Sequence, residues 1–432
     1  MLSRGIERLK YPGTKNALMR EMPDFTRDFV QTLFLQYYYR GFDEACLMHG
    51  FEEREFAALL MKDKIMIRHK RFRSATELQS FLCSTVPSDV YYSSARYEQP
   101  DAAEMNAKGW IGADLIFDID ADHIPTACDK VHDEWVCGKC GFKGRGELPQ
   151  NCPACGGEKF EGSTWPCEVC LASAKSETIK LLDILLKDFG FSEGDVRLFF
   201  SGHRGYHVHV EGEEVESLDA MARKEIVDYV CGLGFDQGLH RLDGKSPMTL
   251  SIKDAGWRGR IARGLCNIVL NAEMEDYQNI GLNRGTAETL MKNKDAILKK
   301  MNDSKPWGAP KGVGPQTFMR LVEHSRKSQS AKVDTVVTTD IHRLIRMPGT
   351  LHGKTGLKKV ELPISTIDNF DPFKSAIAFK EGKASVLVSR APEFRLGDEK
   401  FGPYKNEKAE LPTAAALLLV CKKRAEVLIQ NV

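Results

Sequence analysis

Three carboxylates crowd into the run Asp114-Leu-Ile-Phe-Asp-Ile-Asp120, whose other members are all apolar. The apolar content predicts a strand, and successive side chains on a strand point to opposite faces. Leu115, Phe117 and Ile119 then form a face to bury, while Asp114, Ile116, Asp118 and Asp120 share the other. Asp118 and Asp120 would project one strand repeat apart, about 6–7 Å. Such a pair repels itself unless one member keeps its proton or a cation lies between them. Mg²⁺ and Mn²⁺ favour oxygen ligands from one or two carboxylates together with substrate phosphates. Two such ions about 4 Å apart activate an attacking hydroxyl and stabilise a leaving oxygen. A bare DxD pair nevertheless reads more readily as surface acids on an edge strand, and it also occurs in sugar transferases and phosphatases.

The run SGHRGYHVHV, residues 201–210, sharpens that choice. Gly202 and Gly205 permit close backbone approach in a strand-turn-strand, and Ser201, Arg204 and His207 supply a hydroxyl, a rigid guanidinium fork and an imidazole. Those groups suit a triphosphate; the plainer reading is a polar hairpin facing water. His209 shares the His207 face and reads as a satisfied structural histidine. A third cluster, VDTVVTTDIHRLIRMPGTLHGKTG (333–356), carries Asp334 and Asp340 in strand-like sequence, then Arg343, Arg346, His352 and Lys354 around a Pro-Gly turn. Phosphate contact or a solvated basic loop would each explain it.

Seven of the twelve cysteines fall between Cys128 and Cys170. Clustered cysteine at short spacing in a large chain points to metal and away from a disulfide framework. Cys137, Cys140, Cys152 and Cys155, inside WVCGKCGF and NCPACGG, have the two Cys-x2-Cys knuckles of a closed, structural Zn²⁺ ribbon. The remaining knuckle, Cys167/Cys170, needs two partners, and Cys128 with His132 are nearest, with His123 competing for the fourth position. A second structural zinc follows, with its ligand set open.

The elements that must position these groups are mixed. Helical periodicity runs through PDFTRDFVQTLFLQYYYRGF and stops at Gly41, with a second helix over Phe42 to His49. Residues 54–72 and 86–97 read as strands ahead of the acidic one. Segment 123–170 reads as a metal-held insert, Ser176 to Phe189 as a helix and 215–330 as mostly helical, with a break around Lys305 to Gly314. Strand signals return between Val333 and Ile367, and a last helix covers Thr413 to Ile429. The class is mixed α/β (α+β), one central mixed sheet interrupted by a helical insert and a cysteine-rich insert. With 61 basic and 60 acidic residues, no global field selects nucleic acid or membrane as a partner, so any basic surface is local. MLSRGIERLKYPG lacks the apolar core of a signal peptide, and Ala414 to Cys421 is too short to span a bilayer; a soluble, intracellular protein is expected.

In this order, the three clusters resemble the small catalytic subunit of the archaeal and eukaryotic type of DNA primase. DLIFDID with its continuation ADH, SGHRGYH and the 333–356 segment carry the match, joined by EEREFAALLMKDKIMIRH and DVYYSSARYEQP, and it spans about residues 20 to 370. The resemblance implies Asp118, Asp120 and Asp334 as metal-binding acids for Mg²⁺ or Mn²⁺. It implies Ser201, Arg204, His207, Arg346 and His352 as nucleotide contacts, with Arg54, Glu55 and Arg68 in the earlier motif. His203 stands where some relatives have arginine. The family's zinc knuckle would be Cys128, His132, Cys167 and Cys170, with the ribbon as an extra loop of archaeal type.

The implied organisation is a primase catalytic fold over 1–122, 171–214 and 331–432, with a zinc-binding insert at 123–170 and a helical subdomain at 215–330. The implied activity is two-metal synthesis of short primers on single-stranded DNA from nucleoside triphosphates during replication, with a large primase subunit and the replication machinery as partners and, in an archaeon, a place in the cytoplasm or nucleoid. A repair or bypass primase-polymerase would share every catalytic residue. A non-catalytic zinc-ribbon nucleic-acid binder would explain the cysteines but not the acids.

Overall fold

The computed structural model describes residues 24–40, 42, 48–240, 242, 250–302 and 313–428. The helix expected over Phe42 to His49 and the break at Lys305 to Gly314 fall mostly outside them. The chain divides into two compact units, one of Met1–Ser176, Glu193–Arg223 and Asp334–Val432, the other of Glu177–Ser192 and Lys224–Val333.

The first unit is mixed α/β, and in place of one central sheet it holds two four-stranded sheets, both antiparallel throughout. One sheet orders Val360–Leu362, Val196–Phe200, Gly205–Val210 and Leu115–Asp120. The other orders Leu344–Arg346, Asp89–Ser93, Phe56–Leu59 and Met66–Lys70. Every residue of Gly205–Val210 is buried, so this strand is covered on both faces and its two histidines are interior groups. The Tyr92 hydroxyl lies 3.0 Å from His209 Nδ1, while the buried His209 Nε2 has no hydrogen-bond partner among the described residues, so the histidine is only half satisfied.

Asp114 lies just before the acidic strand and belongs to another network. Arg54, wholly buried, reaches both of its carboxylate oxygens, at 2.9 and 2.8 Å, and the carbonyls of Ser93 and Ser94. Glu55 pairs with Arg68 at 3.0 Å and with buried Lys108 at 3.1 Å. A helix, Ala75–Thr85, sits between the two strand-like stretches of sequence, capped by the Ser74 side chain, which accepts from the Glu77 amide.

Two further expectations in this unit need correction. The β-branched run Thr335–Thr339 is a helical turn and not a strand, because the Asp334 side chain caps it, accepting from the amides of Val336 and Val337. The last helix stops at Cys421 instead of Ile429: Lys423 takes a positive φ of 56° and Ala425–Val427 pairs with Val386–Val388 in a third sheet. Pairing with a distant strand overrides the helical pattern there.

The second unit is helical by itself, with Gly256–Asn271 and Pro315–Gln329 at its centre. Trp257, Ile261, Leu265, Phe318, Leu321 and Val322 belong to its buried core. Gly264 lets these two helices approach: a Cβ there would lie 2.0 Å from the Ser325 hydroxyl, which donates to the Ile261 carbonyl. Buried Arg260 is held by Asp183 and Asp188 within the same unit.

Candidate active site and zinc centres

Strand pairing sets the first geometry. Asp118 lies opposite His207 and Asp120 opposite Gly205. Gly205 must be glycine, since a Cβ would come within 2.3 Å of the Ile119 carbonyl oxygen. The third acid arrives from far along the chain: the Asp334 amide donates to the Asp118 carbonyl at 2.8 Å, which docks the helical turn against the acidic strand. Burial, then the neighbouring charges of Asp120 and Asp334, push the Asp118 carboxyl up to about 7. Burial raises Asp120 as well. The oxygens of the three acids do not all come within 4.8 Å of one another, the separation that strand geometry imposes.

This is a set of oxygen donors short of positive charge, which suits hard divalent cations. His207 faces it as a neutral imidazole, because burial and the nearby Lys359, Arg346 and Arg343 charges hold it far below the usual histidine range. Its Nε2 lies 3.6 Å from Asp118 Oδ1, and its buried Nδ1 has no hydrogen-bond partner among the described residues. An interior polar atom left in this way is a place for a ligand group.

The turn and the distal loop meet each other. Thr355 Oγ1 donates to the Gly202 carbonyl at 2.6 Å, and the His203 and His352 rings lie 5.2 Å apart. Gly202 adopts φ +87° under the His352 side chain. Ser201 Oγ accepts from the His203 amide at 3.4 Å. Arg346 is anchored by Asp89 at 2.6 Å, and Asp89 also accepts from the Gly353 amide at 3.0 Å. His207 is thus brought beside Asp118, while Arg346 and His352 converge on Asp89 and Ser201 sits at the turn with His203.

Arg204 has different partners from the phosphate expected of it. Only 1 % exposed, its guanidinium is paired with Asp122 and, at 2.8 Å, with Asp133, while Nε lies 3.9 Å from Asp120. Sequence reasoning missed Asp89, Asp133, Lys359 and Lys422. Buried Lys359 donates to the Arg346 carbonyl at 2.8 Å. Lys422, which burial holds down to about 7, donates to the Thr164 carbonyl and to His203 Nε2, both at 2.7 Å. Asp133 carried a legible signal, an aspartate directly after a candidate zinc-ligating histidine; Lys422 carried none, since only tertiary folding brings the chain's end back to the turn.

The cysteines form two converged sets, Cys128/His132/Cys167/Cys170 and Cys137/Cys140/Cys152/Cys155, each with ligand atoms within 4.8 Å of one another. His132, not His123, completes the first, its Nε2 lying 3.4 Å from the sulfurs of Cys128 and Cys170. In the second, Cys137 and Cys155 approach to 3.6 Å, as do Cys140 and Cys152. Each of its knuckles closes through a glycine at positive φ, Gly141 and Gly156, whose amides donate to the carbonyls of Cys137 and Cys152. The strands Glu134–Cys137, Lys143–Arg145 and Phe160–Ser163 frame it, with Trp135 packed between Phe142 and Phe160. Thiolate and imidazole at this spacing fit tetrahedral Zn²⁺.

A family model for the DNA primase small subunit matches residues 157–365, which takes in the glycine turn and the distal loop. Over 405 residues the chain is 31 % identical to the DNA primase small subunit of Nitrosopumilus maritimus, covering 92 % of this chain and 98 % of that one. Identity is 33 % with the Methanococcoides burtonii subunit, covering 93 % and 98 %, and 35 % with that of Archaeoglobus fulgidus, covering 92 % and 97 %. The chain belongs to the DNA primase small-subunit family. It is accordingly a DNA-directed nucleotidyltransferase, the catalytic subunit of a primase. No helix among the described residues is long and apolar enough to cross a membrane.

Proposed function

We propose that Asp118, Asp120 and Asp334 form the catalytic acids of a primase that starts short primers on single-stranded DNA from nucleoside triphosphates, in company with a large subunit. The observation that carries this reading is the 2.8 Å bond from the Asp334 amide to the Asp118 carbonyl, which joins the acid from the third motif to the pair in the first. Held by these three carboxylates, two Mg²⁺ or Mn²⁺ ions would supply positive charge for the attacking 3′-hydroxyl and the departing pyrophosphate of an in-line displacement.

The protein's own groups do the rest by position. Neutral His207 stands beside Asp118 with Nε2 toward the acids, at the place where the triphosphate would lie. Arg346, oriented by Asp89, and His352 with Ser201 line the place where a triphosphate would lie, and Arg204 fixes the carboxylates at the strand's end. The two cysteine sets hold one structural zinc each and leave no open position for water. Residues 123–170 then act as a zinc-held insert and 215–330 as a helical subdomain on the catalytic part formed by 1–122, 171–214 and 331–432.

The test is de novo synthesis on a single-stranded DNA template with Mg²⁺ or Mn²⁺, each nucleotide type, and the large subunit present or absent. Short template-complementary products are expected. Template binding without incorporation under every condition would overturn the proposal, and extension confined to pre-formed ends would favour a bypass polymerase.

A further inference from the structure

Asp133 is the junction of a continuous polar chain that ties one zinc set to the catalytic strand. His132 turns its Nε2 toward the thiols of Cys128 and Cys170, which leaves Nδ1–H to donate to Asp133 Oδ1 at 2.8 Å. The same oxygen accepts from the Trp165 amide at 2.9 Å and from Arg204 Nη1 at 3.0 Å. Arg204 goes on to Asp122 and lies 3.9 Å from Asp120, and its carbonyl accepts from the Ala121 amide at 3.3 Å. Asp133 is 6 % exposed and Arg204 1 %, so the pair between them is shielded from solvent and from screening.

One guanidinium faces three carboxylates: Asp133 holds it through Nη1 and Asp122 through Nη2, while Asp120 lies near Nε. Without the Asp133 charge, Arg204 would be drawn onto Asp120 and Asp122 and would compete with a divalent cation for Asp120. A carboxylate that accepts from the far nitrogen of a zinc-ligating histidine also fixes that ring and raises its basicity.

We propose that Asp133 is a positioning residue for nucleotidyl transfer, coupling the Cys128/His132/Cys167/Cys170 zinc site through Arg204 to the divalent-metal acid Asp120. This rests on the catalytic reading of Asp118 and Asp120 given above.

The experiment uses the full chain with its large subunit and the variants D133N and R204K, and measures two quantities. One is the rate of zinc release to a chromogenic chelator, in wild type and in a C137S/C152S background that leaves only the His132 set. The other is the Mg²⁺ concentration giving half-maximal primer synthesis. D133N is expected to release the His132-set zinc about tenfold faster or more, and to need severalfold more Mg²⁺ with less change in the KM for nucleotide. R204K, which touches no zinc ligand, is expected to speed release as well, an effect that a simple phosphate contact would not produce. Faster release with an unchanged Mg²⁺ requirement would overturn the coupling, as would two unchanged quantities. Should D133N fold poorly, R204K decides alone by the same two readouts. If D118A made primers normally, the catalytic reading itself would fall, whatever D133N does.

Discussion

The ribbon cysteines come from one short stretch, residues 137–155, and already stand with their sulfurs paired at 3.6 Å. The acids Asp118, Asp120 and Asp334 come from two distant stretches, and their oxygens are not gathered so closely. Local glycine turns bring the sulfurs together, so a metal held there would be coupled to folding of the segment that carries them. Strand pleat and a tertiary hydrogen bond place the acids, which repel one another without a cation and raise the Asp118 carboxyl to about 7. On the proposed reading the first set would be a staple, while the second holds an excess of negative charge that metal and substrate would relieve.

The largest effect that could break this contrast is on catalysis. D118A, D120A and D334A should each reduce primer synthesis by about a hundredfold or more, the scale of removing a preorganised charge from a transition state, with zinc content unchanged by elemental analysis. C137S/C152S should do the reverse, removing one zinc per chain and sparing most of the synthesis. Equal losses in the two classes would erase the distinction.

Next in size is stability. Asp114 neighbours the proposed catalytic acids in sequence but is buried with Arg54. Removing one partner strands the other, so R54A should cost about 3–5 kcal/mol in denaturant unfolding, whereas D118N, at a half-buried position without a paired cation, should not destabilise the metal-free protein.

The smallest effect is the sharpest in sign. A carboxyl whose folded pKa is raised binds its proton more tightly when folded, so it lowers stability as pH rises through its unfolded value toward the folded one, about 7 for Asp118. In the absence of divalent ions, D118N should therefore melt higher than wild type at pH 8, and the gap should close as pH falls toward about 4. Added Mn²⁺ should raise the melting temperature of wild type more than that of D118N.

Much of the site was legible because its motifs are local: alternation divided the acidic strand, and cysteine spacing marked all three knuckles. What was not legible depends on tertiary contact. Nothing in TVVTT announces a helix, since the deciding group is the Asp334 cap. Arg204 looks like a phosphate ligand in sequence, and only folding shows it enclosed by Asp122 and Asp133. The division of strands between two sheets and the return of Lys422 to His203 are likewise long-range facts.

The most direct test of the three-acid site is Mn²⁺ binding to zinc-loaded protein with a non-hydrolysable nucleotide, followed by calorimetry or electron spin resonance, for wild type and D334A. Wild type should bind Mn²⁺ cooperatively with the nucleotide, and D334A should lose that binding while keeping its zinc and its fold. Undiminished Mn²⁺ affinity in D334A would show that the distal aspartate is only a helix cap and that Asp118 and Asp120 act without it.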